Sequence, residues 1–185
     1  MAGAPEWLQV IEGGVDAVPG YLTGVASAGL KREGPDLALI LSERLAAAAM
    51  VATTNRFRAA PVEVSARHLA SGTAQAIVVN SGNANACTGP QGVLDAEEMC
   101  ALAGRALGLP QECVAVASTG IIGVPLPMEK VRAGIAAAAV AMGKNGAQAA
   151  RAIMTTDTVP KQVAVRYEAG GREITLAGMA KGAAM

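Results

Sequence analysis

The chain has 185 residues, 52% of them apolar but only 2% aromatic, and its fifteen lysines and arginines balance fifteen aspartates and glutamates. The length suits a single domain over 1–185, with residues 1–19 as an N-terminal arm and a core of aliphatic side chains, alanine and glycine at close backbone spacing. Zero net charge with so few stacking rings excludes a nucleic-acid binder as the leading class, and apolar runs without a charge or proline, such as Ala133–Gly143, are Ala/Gly-rich and well short of the ~20 apolar residues that cross a bilayer.

The first 20 residues, holding Pro5, Gly13, Gly14 and Pro19, show no periodicity and read as an arm leading to a strand near Tyr21–Ala28. Asp36–Ser42 and Ala48–Thr54 read as further strands, with Ser42–Ala48 between them as a turn or short helix. Pro61 opens a helical stretch to Ser71 that places Val62, Ala66 and Leu69 on one face and ends before Gly72. Ala76–Val79 is a short apolar, β-branched run, hence a buried strand, and it feeds a polar loop over Asn80–Gly92. Asp95 and Glu98 form a capping-box pattern that starts a helix carrying Met99, Leu102, Ala103, Ala106 and Leu107, ended by Gly108-Leu-Pro110. Cys113–Ala117 reads as another buried strand running into Ser118-Thr-Gly120. A helix begins at Pro127, the favoured first position, and stops at Gly143; a shorter one covers Ala147–Ile153. Alternation on both sides of Gly170-Gly171 predicts a closing hairpin. The sum is a mixed α/β fold with both hairpin and crossover pairings.

Three polar loops follow buried elements, where a rigid scaffold presents functional groups. Asn80–Gly89 is either a hydrogen-bonding platform or a turn-rich connection whose Asn side chains bind local backbone. Ala117–Gly123 ends a strand in small residues, so a hydroxyl and a backbone N–H there could hold an oxyanion, or the segment is an ordinary strand-to-helix turn. Met154–Thr158, followed by Pro160-Lys161, groups three hydroxyls and a carboxylate that suit an amino-acid substrate or else cap helix and strand ends. His68 has no serine or aspartate at a telling spacing and reads as a packing or surface histidine. Cys87, Cys100 and Cys113 lie 13 residues apart and, with one histidine, supply neither a zinc set nor a disulfide framework. A metal site is therefore not expected, and a reducing cytoplasm fits best; the acidic Glu6, Glu12 and Asp16 do not make a secretory signal. Cys87, in a polar loop, is the one thiol of interest, and the other two read as small core hydrophobes. These residues alone name no nucleophile–base pair.

Five stretches in order resemble one family. They are Thr53–Phe57 with Ala59–Val62, Asn80–Gly89, Ala117–Gly123 with Leu126–Met128, Ala152–Lys161, and Ala177–Gly182, spread over about residues 20–185. The family is the ornithine acetyltransferases, bifunctional glutamate N-acetyltransferases of cyclic arginine biosynthesis. The resemblance implies a layered α/β sandwich of the N-terminal-nucleophile type, shared with self-cleaving aminopeptidases and completed by a second chain. Members are made as one precursor that cuts itself before a threonine, which becomes the β-chain nucleophile with its own α-amine as base. The acetyl group moves from N-acetylornithine to that threonine and then to glutamate. This ping-pong scheme needs no metal and no coenzyme, although some members also accept acetyl-coenzyme A.

Carried over residue by residue, Thr119 and Gly120 match the family's oxyanion pair, Thr155 a substrate-contacting threonine, and Lys181 a substrate-contacting lysine suited to a carboxylate. Thr156 and Thr158 stand close enough to Thr155 to compete for that role. The family continues past the position of Met185 to its cleavage Ala-Thr, so the nucleophile is expected on a β chain, in an α2β2 or larger cytoplasmic assembly. A self-cleaving aminopeptidase relative and a non-catalytic domain that keeps the fold are the alternatives. The Thr155–Thr158 and Ala180–Gly182 matches argue against the first.

Overall fold

The computed structural model describes residues 5–183. Eleven elements follow in chain order: strand β1 (Leu8–Ile11), β2 (Tyr21–Ala26), β3 (Leu37–Ala47), helix α1 (Ala60–His68), β4 (Thr73–Asn83), α2 (Gly89–Leu107), β5 (Val114–Ile121), α3 (Met128–Val140), α4 (Gly146–Ala152), β6 (Lys161–Ala169) and β7 (Arg172–Ala180). A four-stranded sheet runs β2-β3-β4-β5, antiparallel except for the parallel β4–β5 pair, and a three-stranded antiparallel sheet runs β1-β6-β7. The fold is mixed α/β, as the sequence predicts.

Leu37, Leu39, Ala76, Val78, Val114 and Val116 point from the larger sheet onto α1, α2 and α3 and are buried with Val64, Met99, Cys100, Val131 and Ile135. With few rings to fill space, this core relies on close approach; the Gly24 Cα faces the Ala138 carbonyl of α3 with no room for a side chain between them. On the opposite face a smaller cluster of Ala38, Ala149 and Ala152 lays α4 against β3, with Val25 and Met179 beside it. The free edge of β5 is covered by α1: the Ser65 hydroxyl donates to the Val116 carbonyl and accepts its N–H, and His68 Nδ1 lies 2.7 Å from the Val114 carbonyl oxygen. His68 is a structural residue.

Four expectations change. Ser42–Ala48 forms neither a turn nor a helix, because β3 runs on to Ala47 across a bulge between Leu41 and Ala46. A helix that short is marginal by itself, whereas pairing with Thr73–Ala76 of β4 supplies ladder bonds. Ala48–Thr54 is not a strand; beyond Ala48, whose N–H donates to the Gly72 carbonyl, it is exposed. Both sides of β3 are already taken by β2 and β4, so the segment has no adjacent edge to join. The second helix starts at Gly89, six residues before Asp95, and Asp95 lies inside it, buried and accepting a bond from Gln91. Proline in the first turn and the glycines at 89 and 92 hide that start from a periodicity argument. The arm holds regular structure too: β1 adds to β6, and Trp7 packs edge-on against Tyr167 with ring centroids 6.1 Å apart.

Strand ends also move. The polar residues of 80–83 and 118–121, expected in loops, continue β4 and β5 because they pair with each other. The third helix begins at Met128, with Pro127 just before it lending its carbonyl to Lys130 and Val131, and it ends at Val140; Gly143 instead bridges Thr23. The 170–171 hairpin forms as predicted, both glycines adopting the positive φ that a two-residue turn of this hand requires (58° and 71°).

Burial pushes the Cys100 thiol up to about 12, so its thiolate is scarce at any physiological pH. A disulfide reagent at pH 8 should leave Cys100 unlabelled in the folded complete protein and label it after denaturation. Rapid labelling of Cys100 in the native state would contradict this packing.

Candidate active site

The parallel β4–β5 pair sets the site. Its register places Asn80 beside Ser118, Ser81 beside Thr119 and Gly82 beside Gly120. Side chains alternate along a strand, so Val116 faces the helical core while Ala115, Ala117 and Thr119 face the other side of the sheet. Ser81, on the same face, is fully buried, and its hydroxyl donates to the Ala152 carbonyl at the C-terminal end of α4. That bond ties the end of α4, and the Met154–Thr158 loop after it, to the strand pair.

A second tie comes from the 27–35 turn. The buried Asp36 carboxylate accepts the N–H groups of Ala28, Leu30 and Lys31, which shapes the turn. The turn aims Lys31, whose Nζ donates to the Met154 carbonyl at 3.1 Å and lies 3.5 Å from that of Ala152. Burial holds the Lys31 ammonium below its ordinary pKa, against the opposing effect of the Asp36 charge. Cation and hydroxyl thus fill the role of a C-cap, meeting carbonyls that a helix end leaves free.

At this place the structure brings together three of the residues singled out from the sequence. Lys181 Nζ donates to Thr155 Oγ1 at 2.5 Å and to Thr119 Oγ1 at 3.1 Å. All three are half-buried, and among the described residues Lys181 makes no ion pair. Thr156 and Thr158 are exposed, so Thr155 is the member of its loop that faces the lysine. Gly120 follows Thr119 with a φ of 138°, and a Cβ there would drive into the Gly82 carbonyl carbon. Only glycine lets β5 cross β4 this closely at the strand end.

Asp157 is shielded from solvent and accepts three bonds: Lys161 Nζ at 2.5 Å, the Gly182 N–H at 2.6 Å and the Thr155 N–H at 3.3 Å. The bond from Lys161 and those two N–H groups hold its carboxyl well below the usual carboxylate range. Because the folded value is depressed, the stabilisation is fully present above the ordinary carboxylate pKa and is lost as pH falls toward the lower folded value.

The asparagine side chains of Asn80–Gly89 are turned inward. Asn80 donates to the Asn83 carbonyl, Asn83 to the Val124 and Pro125 carbonyls, and Asn85 to the Gly92 carbonyl, while Asn85 Oδ1 accepts the Thr88 hydroxyl. The Asn83 bonds tie this strand end to the 121–126 turn beside Thr119, and the buried asparagine side chains form no open platform. The cleft of about 770 Å3 lined by Arg56, Phe57, Cys87, Pro90, Leu94 and Glu97 contains none of the clustered residues. Sequence reasoning missed Lys31 and Ser81. Lys31 reaches its carbonyls from far along the chain and leaves no local signal, whereas Ser81 could have been found by writing β4 and β5 in parallel register.

One mixed and one antiparallel sheet, four α-helices among the described residues, and a lysine joined to two threonines at the C-terminal end of a parallel strand pair define a scaffold with a polar site built from strand ends. The chain belongs to the ArgJ family, whose sequence profile matches residues 22–185. It is 53% identical over 184 residues to the arginine biosynthesis bifunctional protein ArgJ of Symbiobacterium thermophilum and 49% identical over 179 residues to the protein of that name from Caldanaerobacter subterraneus. Those alignments cover 97% and 96% of this chain but only 45% and 44% of the relatives, so the chain spans less than half their length. Among solved structures it superposes with a TM-score of 0.89 on Bacillus halodurans argJ, at 37% identity and covering 96% of this chain and 95% of that one. The same score is found with Mycobacterium tuberculosis ornithine acetyltransferase complexed with ornithine, at 39% identity and 96% coverage of each chain.

Gly120→Ala should part the two strands at the site or force residue 120 into a strained backbone, costing about 1–3 kcal/mol. Thermal unfolding checks this, and an unchanged midpoint would show that the close crossing is not required.

Proposed function

We propose that this chain is the α part of an enzyme that moves an acetyl group from N2-acetyl-L-ornithine to L-glutamate. The observation that carries the reading is the Lys181–Thr119–Thr155 group: a half-buried cation bonded only to hydroxyls, without a carboxylate partner among the described residues. A desolvated ammonium in that state favours an anionic ligand, and an amino-acid carboxylate supplies one. The names of the relatives, arginine biosynthesis proteins and an ornithine acetyltransferase, support the same substrates.

The nucleophile is a threonine hydroxyl on the downstream segment, the part of the relatives that this chain does not cover. Its oxygen attacks the acetyl carbonyl carbon, the hydroxyl proton passes to the departing ornithine amine, and an acetyl ester remains. The glutamate amine then attacks the ester, returning a proton to the threonine oxygen as N-acetylglutamate leaves. In both steps negative charge grows on the carbonyl oxygen, which the Thr119 hydroxyl and the Gly120 N–H receive. Losing one such donor typically costs ~10²–10³ in rate. Lys181 and Thr155 hold the substrate carboxylate. No metal or bound coenzyme takes part, and acetyl-coenzyme A would enter only as a second donor.

The partner is a β chain cut from the same precursor, in a cytoplasmic α2β2 or larger assembly. The outer face of the smaller sheet supports this: Val10, Val163 and Leu176 are 61%, 52% and 59% exposed, and Ile174 lies beside them. Ile121, Ile122 and Val124, next to Thr119 and Gly120, are exposed as well. Apolar surface on this scale suits an obligate interface, which commonly exceeds ~2,000 Å2.

The complete protein should transfer labelled acetyl from N-acetylornithine to glutamate with ping-pong kinetics, and parallel assays with acetyl-coenzyme A report on the second donor. Thr119→Ala should lower kcat by roughly 10²-fold with a smaller change in KM. Lys181→Met should raise KM for glutamate or N-acetylornithine. No transfer by the wild type, or unchanged constants in both variants, would overturn the reading.

Residues 1–185 expressed alone should aggregate or unfold without cooperativity, and co-expression with the downstream segment should yield two chains that purify together. A soluble, cooperatively folding 1–185 would refute the shared interface.

A further inference from the structure

An acid inside a loop proposed to bind amino-acid substrates invites a direct role, gripping the substrate amine. The geometry around Asp157 excludes it. Its side chain is fully shielded, Oδ1 accepts from both Lys161 Nζ and the Gly182 N–H, and Oδ2 accepts the Thr155 N–H. Both oxygens are occupied by protein donors, and the Asp157 charge is matched by Lys161.

What those bonds join is more informative. The last ladder pair between β6 and β7 is Lys161 with Ala180, so Lys181 and Gly182 lie just past the point where sheet pairing holds the chain. Residues beyond the end of a ladder fray unless something else fixes them. Here the bond from the Gly182 N–H to Asp157 fixes the backbone directly after Lys181, and the Lys181 side chain turns back to Thr155 and Thr119. The connections close into a ring: Asp157 to Gly182, along the chain to Lys181, across to Thr155, and from the Thr155 N–H back to Asp157.

We infer that Asp157 is a positioning residue that clamps the end of β7 to the 155–158 loop and so places the Lys181 ammonium between Thr155 and Thr119. By pairing with Lys161 it also leaves the Lys181 charge uncompensated for a ligand carboxylate. Lys161 completes the clamp from a side chain that is 42% exposed, whereas the Gly182 bond tethers the backbone itself.

The kinetic arm of the test rests on the acetyl-transfer reading; the hydrogen-exchange arm does not. In the complete protein, Asp157→Ala should raise the exchange rate of the Gly182 amide at least tenfold while leaving amides of the β4–β5 pair protected. Asp157→Asn keeps an acceptor for Gly182 and should fall between wild type and the alanine variant, and Lys161→Met should resemble wild type most closely. In the transfer assay Asp157→Ala should lower kcat/KM at least tenfold, mainly through KM. Introduced on top of Lys181→Met it should cost less than twofold, because the group it positions is already gone. An equal factor in both backgrounds would reduce Asp157 to a general structural role, and unchanged Gly182 exchange would overturn the clamp. If the alanine variant does not fold, Asp157→Asn carries the same cycle with the same expected non-additivity. If the wild type transfers no acetyl, the functional reading fails, and the Gly182 exchange rates alone decide the clamp.

Discussion

The parallel pairing of β4 and β5 organises this molecule. Two neighbouring strands can run in the same direction only if the chain crosses over between them, and α2 makes that crossover against the helical face. The register of the pair then determines everything at its C-terminal end. Ser81 and Thr119 emerge side by side on the face away from α2, and Gly120 crosses close over Gly82. The end of α4 meets this pair because Ala38, Ala149 and Ala152 present almost no side chain, so helix and sheet approach until a serine hydroxyl touches a helix carbonyl. Larger residues at those three positions would lift α4 and carry the Thr155 loop away from Thr119.

Charge is distributed around the site so that one cation stays available. Lys31 is engaged by carbonyls near the end of α4 and faces the Asp36 charge, and Lys161 is paired with Asp157. Lys181 alone is satisfied by neutral hydroxyls. A half-buried ammonium with incomplete compensation is costly for the free protein and favours binding of an anion, because the ligand's charge replaces lost solvation. The site is built into a rigid strand end on one side and a loop tethered at both ends on the other. Its residues are therefore held in place before any ligand arrives.

The scarcity of aromatic residues has a consequence at larger scale. A core of alanine, valine and leucine buries limited area per residue, and here the outer face of the smaller sheet stays apolar and open. Such a layer gains stability when a second layer covers it. The site lies at the margin of the described structure next to exposed Ile121 and Ile122, where a covering segment would exclude water and strengthen each electrostatic contact.

The sequence by itself determined the mixed α/β class, the buried runs of β4 and β5, the C-terminal end of α2 and the turn at 170–171, because periodicity, β-branching and glycine act locally. It also picked out Thr119, Gly120, Thr155 and Lys181, through motifs whose order along the chain is specific. It misjudged Ser42–Thr54 and the start of α2, where local propensity lost to a partner strand or was masked by proline and glycine. The tertiary structure alone decided that Thr119, Thr155 and Lys181 meet, that Thr156 and Thr158 do not join them, and that Lys31, Ser81 and Asp157 hold the meeting point. Those contacts join residues far apart in the chain, and a hydrogen bond closed by three-dimensional register leaves no trace in the spacing of the residues that make it.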